Sequence, residues 1–308
     1  LAVGMSGNFR QMKRRILNIA VFRKETLYQK MRALIIYLVI SAVFIGCTPI
    51  LSIDASTQSV YHFSDTDKNI SLLDISETFG TYDGSFVLYD NNLDSWKIYD
   101  LEEATKRIPP ESTYKIYDAL LGLESGIITP EHSSMTWNGD AFPFPSWEAD
   151  QDLNSAMQNS VNWYFQAIDS QLGINRVQEF LNKIEYGNQT TSSNLDLYWS
   201  DFSLKISPLE QVTLLKKFNT NESHLNSQNV FSVKNAIKIA STPNGNFYGK
   251  TGTGRVNGQD INGWFIGYVE TSDNSYYFAT NIQSDSNATG KKAFEITSDI
   301  LKKLHIWN

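Results

Sequence analysis

A serine and a lysine lie three residues apart in the stretch IPPESTYKIYDALLGLESG, Ile108 to Gly126. The double proline favours a helix start, and the apolar residues after it recur at helical spacing. Ser112 and Lys115 should therefore share one face of the first turn. A serine hydroxyl needs a nearby base to act as a nucleophile, and a lysine amine can be that base when burial lowers its pKa. The spacing predicts nucleophilic catalysis, with backbone N–H groups at the helix start available for an oxyanion.

The S-x-x-K spacing is weak evidence when it stands alone. It should occur by chance about once in a chain of this length, at ordinary serine and lysine frequencies. The alternative interpretation is a serine that caps a helix, followed by a lysine in solvent. Other motifs in the chain are needed to decide between the two.

Two further motifs follow in order and fit the same chemistry. The first is S-x-N, Ser160-Val161-Asn162, whose serine could relay a proton to a leaving nitrogen. The second is K-T-G-T, which comprises Lys250, Thr251, Gly252 and Thr253. Its lysine offers positive charge to a substrate carboxylate, its threonines offer hydroxyl donors, and the N–H of Thr253 could join that of Ser112 in an oxyanion hole. Helix capping and an exposed strand lysine are the alternatives, but three motifs in this order favour chemistry.

Other catalytic patterns are missing from the sequence. The chain has four histidines, and none has H-E-x-x-H or similar ligand spacing, so no metal site is expected. A Ser-His-Asp triad has little support, because no G-x-S-x-G stretch is present. The glycine-rich GKTGTG lacks the four-residue gap of a phosphate-binding loop. No cofactor is therefore expected from motifs alone.

Charge is distributed unevenly along the 308 residues, although the formal net charge is only −7. Residues 1–32 hold eight of the 26 basic residues and one of the 33 acidic residues. Residues 33–53 carry no charge, and about 20 apolar residues suffice to span a bilayer. The basic flank predicts a cytoplasmic segment 1–32, a single transmembrane helix 33–53 and an extracellular remainder. The net negative charge argues against a nucleic-acid partner.

Two alternatives remain for the uncharged stretch. It could be a buried core helix, although its length and basic flank agree better with membrane insertion. If translation began at Met31, the segment would instead read as a lipoprotein signal with Cys47 as the lipidated residue. Cys47 is the only cysteine of the chain, so no disulfide framework is expected.

Strand patterns lie at both ends of the remaining sequence. The polar residues 54–75 predict a linker, and the stretch from Gly84 to Asp100 predicts a hairpin around Asn91-Asn92. Near the C-terminus, three β-rich segments are separated by Asn257-Gly258 and Asp273-Asn274, which are typical turn pairs. A closing helix should follow them.

The middle of the chain is mainly helical. The stretch INRVQEFLNKIEYGN should form a helix whose apolar face includes Val177 and Ile184 and which ends at Gly187 as its C-cap. The next helix should begin at Ser207, with Pro208 at the first position and Glu210 as capping-box partner. Strands at both ends and helices between them predict an α+β domain, with an antiparallel sheet covered by helices.

With these motifs in place, residues 76–308 resemble class D β-lactamases and, more closely, the extracellular penicillin sensor of BlaR/MecR-type signal transducers. Besides the order S-x-x-K, S-x-N and K-T-G, the resemblance rests on Tyr186-Gly187-Asn188, on LYWSDFSLKISPLEQV around Trp199 and on NGWFIGYVE with Trp264. It implies a β-lactamase/transpeptidase-like fold and β-lactam antibiotics as ligands. For either tryptophan, ordinary core packing is the alternative.

The resemblance also implies a role for each motif residue. Ser112, Lys115 and Ser160 would be catalytic. The substrate-binding residues would be Asn162, Trp199, Lys250, Thr251, Gly252 and Thr253, and in class D relatives a tryptophan matching Trp199 contacts the active-site lysine. No metal is implied at this site.

Asn162 bears on whether the domain is a receptor or an enzyme. Class D enzymes usually have valine here, and their S-x-x-K lysine is carboxylated by CO₂ and serves as base for acylation and deacylation. An amide offers that lysine a competing hydrogen-bond partner. By resemblance, Lys115 would lose its carboxylate after acylation, and the acyl-protein would persist. The expectation is a membrane-anchored β-lactam receptor acylated on Ser112 that signals induction of antibiotic resistance. The alternative is a membrane- or lipid-anchored class D β-lactamase that hydrolyses penicillins, so enzymatic turnover stays open.

The resemblance implies one more partner. Transducers of this type also carry a cytoplasmic zinc metalloprotease, and no such motif occurs in these 308 residues. The chain is therefore expected to be the C-terminal part of a longer protein or the product of a truncated gene. In the first case, the missing N-terminal metalloprotease would act with it. A membrane-tethered binding module without chemistry is a further alternative, and it predicts no covalent adduct.

Overall fold

A seven-stranded sheet with helices on both faces organises the part of the chain that the computed structural model describes, residues 59–64, 66 and 68–308. The strands are β1 Asn69–Leu72, β2 Asp83–Asp90, β3 Ser95–Tyr99, β4 Lys238–Thr242, β5 Gly245–Val256, β6 Gln259–Glu270 and β7 Ser275–Gln283. The helices are α1 Ser76–Phe79, α2 Leu101–Thr105, α3 Lys115–Glu124, α4 Leu153–Gln158, α5 Asn162–Leu172, α6 Ile174–Ile184, α7 Pro208–Thr220, α8 Ser227–Ala236 and α9 Gly290–Lys303. The predicted α+β class is confirmed.

The sheet has the strand order β1-β3-β2-β7-β6-β5-β4. All neighbouring strands are antiparallel except β1 and β3, which run parallel. The predicted turns join the C-terminal strands: Asn257 and Gly258 both have positive φ and connect β5 to β6 in a two-residue loop. The sheet therefore brings the chain's N-terminal hairpin β2–β3 beside the C-terminal strand β7.

Two hydrophobic cores lie on the two faces of the sheet. On one face, α9 packs its Ile296 and Ile300 against Phe265 and neighbouring aromatic rings of the strands. On the other face, helices α3 to α8 share a larger core in which the side chains of α3 are almost entirely buried. Because α3 follows the predicted nucleophile directly, this second core fixes the position of the site.

The middle helices agree with most of their sequence patterns. Val177 and Ile184 lie on the buried face of α6, and the capping box between Ser207 and Glu210 begins α7. The predicted end of α6 at Gly187 is wrong, because the helix ends at Ile184 and Glu185 takes the left-handed cap conformation. Gly187 also has positive φ, but it is needed for a close backbone contact instead.

The predicted linker 54–75 contains a strand. Residues Asn69–Leu72 form β1 and pair with β3 at one edge of the sheet. Only one of its four side chains is partly buried, so no apolar alternation marks it in the sequence. The equally exposed β4 was missed for the same reason.

The predicted transmembrane helix 33–53 and cytoplasmic segment 1–32 lie outside the described residues. Among the residues that are described, no helix combines the length and apolarity that crossing a bilayer requires.

Substitution of Gly187 by alanine should destabilise the protein by roughly 2–4 kcal/mol. An added Cβ would lie 1.9 Å from the carbonyl oxygen of Lys205, and the residue has φ of +52°. Urea unfolding of the full chain measures the change. Gly126→Ala is the matched control, because its φ is +74° but no atom lies within 4 Å of the added Cβ. Gly126→Ala should destabilise the protein by only about 1–2 kcal/mol, which is the cost of a left-handed backbone conformation for a residue with a Cβ. Equal losses in the two variants would contradict the contact argument.

Candidate active site

Ser112 lies in a short 3-10 turn, Glu111–Tyr114, that leads directly into α3. The double proline precedes this turn as predicted, although the α-helix itself begins only at Lys115. The three-residue spacing still brings the two side chains together. Lys115 Nζ donates a hydrogen bond of 2.9 Å to Ser112 Oγ. The nucleophile and the base predicted from the sequence are thus in direct contact.

The backbone of this turn is anchored from two sides. Trp264 Nε1 and Asn262 Nδ2, both on β6, donate to the carbonyl oxygen of Pro109 at 2.9 and 3.1 Å. The N–H of Glu111 donates to the carbonyl oxygen of Trp199 at 3.0 Å. Glu111 itself has φ of +52°, a strained conformation for a residue with a side chain. These bonds hold Ser112 in place.

Lys115 is buried, with 1% of its surface exposed. Burial lowers the pKa of its ammonium group to about 8, and the nearby carboxyl groups of Asp118, Glu111 and Asp169 oppose that shift. The alternative of a solvated lysine is therefore wrong. Near neutral pH a useful fraction of this side chain is the free amine that a general base requires.

Asn162 opens α5 and faces the same lysine. Lys115 Nζ donates to Asn162 Oδ1 at 2.7 Å, which is the competing amide contact that the sequence predicted. Trp199 is 3% exposed and lies behind the lysine, with its ring 5.7 Å from Nζ. It is packed in the core beside Tyr114, and its ring makes the expected contact with Lys115. Its assignment to substrate binding stays a prediction.

Ser160 and Lys250 form a second hydroxyl–amine pair. Lys250 Nζ donates to Ser160 Oγ at 3.0 Å and to the carbonyl oxygen of Thr251 at 2.9 Å. Lys250 is buried, and burial together with the positive charge of Lys115 holds its pKa well below the ordinary value. An exposed strand lysine is therefore wrong for this position too. The pair is suited to passing a proton through the serine hydroxyl.

Strand β5 lies directly against the nucleophile turn. A Cβ added to Gly252 would lie 3.1 Å from the carbonyl oxygen of Pro110 and 3.2 Å from the backbone nitrogen of Ser112. Thr253 Oγ1 accepts a 2.8 Å hydrogen bond from the N–H of Gly290 at the start of α9. Glycine at position 252 thus permits a strand-to-turn approach that a larger residue would hinder.

A cleft of about 350 Å³ opens over these groups. Its walls are formed by Ser112, Phe144, Ser146, Trp147, Asn159, Ser160, Asn162, Thr251, Gly252, Thr253, Arg255 and Asp260. Six of the nine predicted site residues are on this wall, and Lys115 and Lys250 reach it through the serines they contact. The structure thus brings the three motifs to one cleft.

The comparison with protein families decides the assignment. Residues 81–302 match the penicillin binding protein transpeptidase domain. The chain belongs to this family. Among curated relatives of this transpeptidase domain, the regulatory protein BlaR1 of Bacillus licheniformis is 43% identical over 305 residues, which cover 98% of this chain and 50% of that protein. The chain thus spans about half the length of the BlaR1 and MecR1 relatives it matches.

Solved structures of similar proteins agree with the fold. The C-terminal domain of the Bacillus licheniformis BlaR penicillin receptor matches with a TM-score of 0.76 and 45% identity, over 79% of this chain and 99% of that one. A class D β-lactamase from Bacillus subtilis matches with a TM-score of 0.72 and 34% identity, over 80% of this chain and 100% of that one. The resemblance to BlaR/MecR-type sensors and class D β-lactamases is confirmed.

The sequence prediction missed several residues of this transpeptidase-type cleft. Phe144 and Trp147 form an aromatic wall with ring centroids 5.2 Å apart, and Trp147 Nε1 donates to the carbonyl oxygen of Asn159. Arg255 and Asp260 form an ion pair at the rim. The signal was the stretch FPFPSW, which places aromatic residues in an otherwise polar loop. No motif marked the rim pair.

Glu111 was also missed, and it makes protein stability depend on pH. Burial raises the pKa of its carboxyl to about 8 from 4.5, while the Asn262 hydrogen bond and the charge of Lys115 oppose the shift. The folded state therefore holds this proton to higher pH than the unfolded chain. The stabilisation is fully present below about pH 4.5 and is lost as the pH rises towards 8.

Glu111→Gln should flatten the dependence of unfolding free energy on pH between 4.5 and 8. A single group contributes at most about 1.4 kcal/mol per pH unit in that window, and the amide does not titrate. Urea unfolding of the full chain at several pH values measures the slope. Glu295→Gln, on the exposed side of α9, is the control and should keep the parent slope. A Glu111→Gln slope equal to the parent slope would show that Glu111 does not carry the effect.

Proposed function

We propose that this chain is the β-lactam-binding part of a membrane-anchored sensor, in which the antibiotic acylates Ser112 and stays attached. The observation that carries the proposal is Lys115, which is buried and hydrogen-bonded to both Ser112 and Asn162. The hydrogen bond to Ser112 places the base beside the nucleophile. The hydrogen bond to Asn162 engages the same amine, which would otherwise be free to act as a base. The similarity to BlaR1 and to the BlaR penicillin receptor supports the same role.

Each residue of the cleft would have its own role in the acylation step. Ser112 Oγ attacks the lactam carbonyl carbon, its proton passes to the Lys115 amine, and the ring C–N bond breaks. The departing nitrogen receives a proton through the Ser160 hydroxyl, which Lys250 holds by its hydrogen bond. The position of β5 against the turn suits an oxyanion hole formed by the backbone N–H groups of Ser112 and Thr253. The aromatic pair at the cleft wall would hold the apolar side chain of the drug.

We also propose that Lys115 can carry a CO₂-derived carboxylate in the drug-free protein. A free amine is what CO₂ modifies, and burial makes that form accessible near neutral pH. The Phe165 and Trp199 rings, 5.6 and 5.7 Å from Nζ, provide an apolar wall around the group. When present, the carboxylate would supply a base that stays unprotonated near neutral pH. Asn162 favours its loss, because the amide oxygen accepts a hydrogen bond from the unmodified lysine.

The membrane arrangement belongs to this proposal. Residues 33–53 would anchor the chain in the cell membrane with residues 1–32 in the cytoplasm, and the penicillin-binding domain would face the outside. The remaining half of the BlaR1-like protein would supply the partner that receives the signal, for which we propose a metalloprotease. Acylation of Ser112 would then report the antibiotic across the membrane and induce resistance.

A class D β-lactamase is the second candidate. The similarity to the Bacillus subtilis enzyme over all of that chain favours it, and the Ser112–Lys115 pair would serve acylation in either case. The two functions differ only in the lifetime of the acyl-protein. A receptor keeps the adduct, whereas an enzyme hydrolyses it and is released.

Mass spectrometry of the full chain mixed with benzylpenicillin tests the proposal. We expect a mass increase of one drug molecule that lasts for hours and maps to the peptide containing Ser112. Ser112→Ala should abolish it, whereas Ser227→Ala at an exposed helix start should not. Rapid hydrolysis of excess penicillin with recovery of the unmodified protein would establish the β-lactamase instead. Absence of any adduct would favour a binding module without chemistry.

A further inference from the structure

A second polar layer lies directly beneath the Lys115–Asn162 contact. Asp118 follows Lys115 by three residues on α3, and Asp169 follows Asn162 by seven residues on α5, so each helix repeats a polar side chain on one face. Both carboxyl groups belong to residues that are 0% exposed. None of the three motifs includes them, and the acylation chemistry proposed above does not use them.

Asp118 has no ordinary hydrogen-bond donor within the described part of the chain. Both of its carboxyl oxygens are buried without an N–H or hydroxyl partner. Asp169 receives one long hydrogen bond, 3.4 Å from the Tyr198 hydroxyl, and its second oxygen has no such partner. The two acids lie close enough to interact electrostatically, and a hydrogen bond between two carboxyls would require a proton. Their burial without other close donors therefore favours at least one proton on the pair.

Two like charges in a dry site cannot both persist. Burial raises the pKa of both carboxyl groups, to about 8 for Asp118, while the charge of Lys115 opposes the shift at Asp118. Removing both charges would in turn leave the buried Lys115 ammonium without close compensation. Other titratable groups that face these three side chains are Glu111, Tyr114, Tyr164, Asp196, Tyr198 and Lys250. Burial keeps the Glu111 carboxyl largely protonated near neutral pH, so that group adds little negative charge beside Lys115.

We propose that Asp118 and Asp169 share a single proton, and that the one negative charge left on the pair sets how readily Lys115 gives up its own proton. The pair is a positioning device that acts through Lys115 and does not touch the antibiotic. The negative charge of the pair favours the ammonium form of Lys115, so the free amine that acts as the base forms only at higher pH. The inference deepens the proposed function, because it concerns the base that activates Ser112.

A shared proton has a distinctive consequence for mutants. Asparagine mimics a protonated carboxyl, so Asp118→Asn and Asp169→Asn should each leave one ionised acid and hence the same net charge. The double variant removes that charge entirely. An opposite charge at close range shifts a pKa by about one unit or more, so the acidic limb of the acylation rate profile should move down by about one pH unit in the double variant alone.

The rate of acylation of the full chain by a fluorescent penicillin, measured from pH 5 to 9, tests this. On the acidic limb the double variant should react about tenfold faster than the parent protein, and each single variant should be close to the parent. Asp299→Asn, on the exposed side of α9, is the control. A double variant with the parent profile would overturn the proposal, because the pair would then be uncharged. A single variant that shifts as far as the double would also overturn it, because the charge would then sit on one acid.

Infrared spectroscopy gives a second test that needs no antibiotic. In a Glu111→Gln background at neutral pH, the C=O absorption of one buried protonated carboxyl should be present and should disappear in either single aspartate variant. Persistence of that band in a single variant would overturn sharing. Because this measurement uses only the single variants, it still tests the proposal if the double variant does not fold. If penicillin does not acylate the chain, the proposed function fails, yet this spectrum still decides the charge of the pair.

Discussion

Lys115→Met should lower the rate of Ser112 acylation by about 10²–10⁴-fold while the protein stays folded. The reason is direct, since Lys115 Nζ is the only amine hydrogen-bonded to Ser112 Oγ among the described residues. Methionine fills a similar volume in the apolar pocket formed with Phe165 and Trp199, so packing should survive. Stopped-flow fluorescence with a labelled penicillin measures the rate.

Lys183→Met, at an exposed position of α6, is the matched control and should acylate at the parent rate. Thermal unfolding of both variants checks that a loss of rate is not a loss of fold. If Lys115→Met acylated at the parent rate, another group would have to be the base. The buried pair of Ser160 and Lys250 would then be the next candidate.

Asn162→Val should shorten the life of the acyl-protein by at least about tenfold. The valine cannot accept the 2.7 Å hydrogen bond from Lys115, so the lysine regains freedom to act as a base for water. Loss of that acceptor also removes an interaction that favours the ammonium, which should lower the pKa of Lys115 below its value of about 8. The decay of the adduct after removal of free drug, followed by mass spectrometry, gives the lifetime.

Asn159→Val provides the comparison for that variant. Asn159 also lines the cleft, but its side-chain amide donates to the Ser155 carbonyl and has no bond to Lys115. Its adduct should therefore last as long as that of the parent. Equal lifetimes in all three proteins would mean that the amide of Asn162 does not decide between receptor and enzyme. In that case, access of water to the ester would be the next quantity to measure.

The site was largely predictable because its chemistry is concentrated in short motifs. Ser112, Lys115, Ser160, Asn162 and Lys250 were all identified by residue type and order, and the structure joins them by hydrogen bonds. What escaped prediction depends on long-range packing. The Asp118–Asp169 layer becomes visible only when α3 and α5 are placed side by side, and each aspartate alone resembles a solvated helix residue.

The strands that were predicted from the sequence are those with buried apolar side chains, and the strands that were missed are exposed. Strands β5, β6 and β7 carry strong apolar patterns and good turn pairs, so their hairpins were confirmed. The edge strands β1 and β4 have mostly exposed side chains, and nothing in a local window distinguishes such strands from loops. The Gly187 loop was assigned to a helix cap because positive φ serves both purposes, and only the Lys205 backbone shows which one applies.

The strand order separates the nucleophile turn from the point where the chain enters the sheet. Strand β5 touches the nucleophile turn, whereas β1, where the chain enters the sheet, lies beyond β6, β7, β2 and β3. At about 4.8 Å per step, that is roughly 24 Å of hydrogen-bonded backbone. Any conformational change that passes through the sheet from β5 to the entry strand must therefore cross the four strands between them.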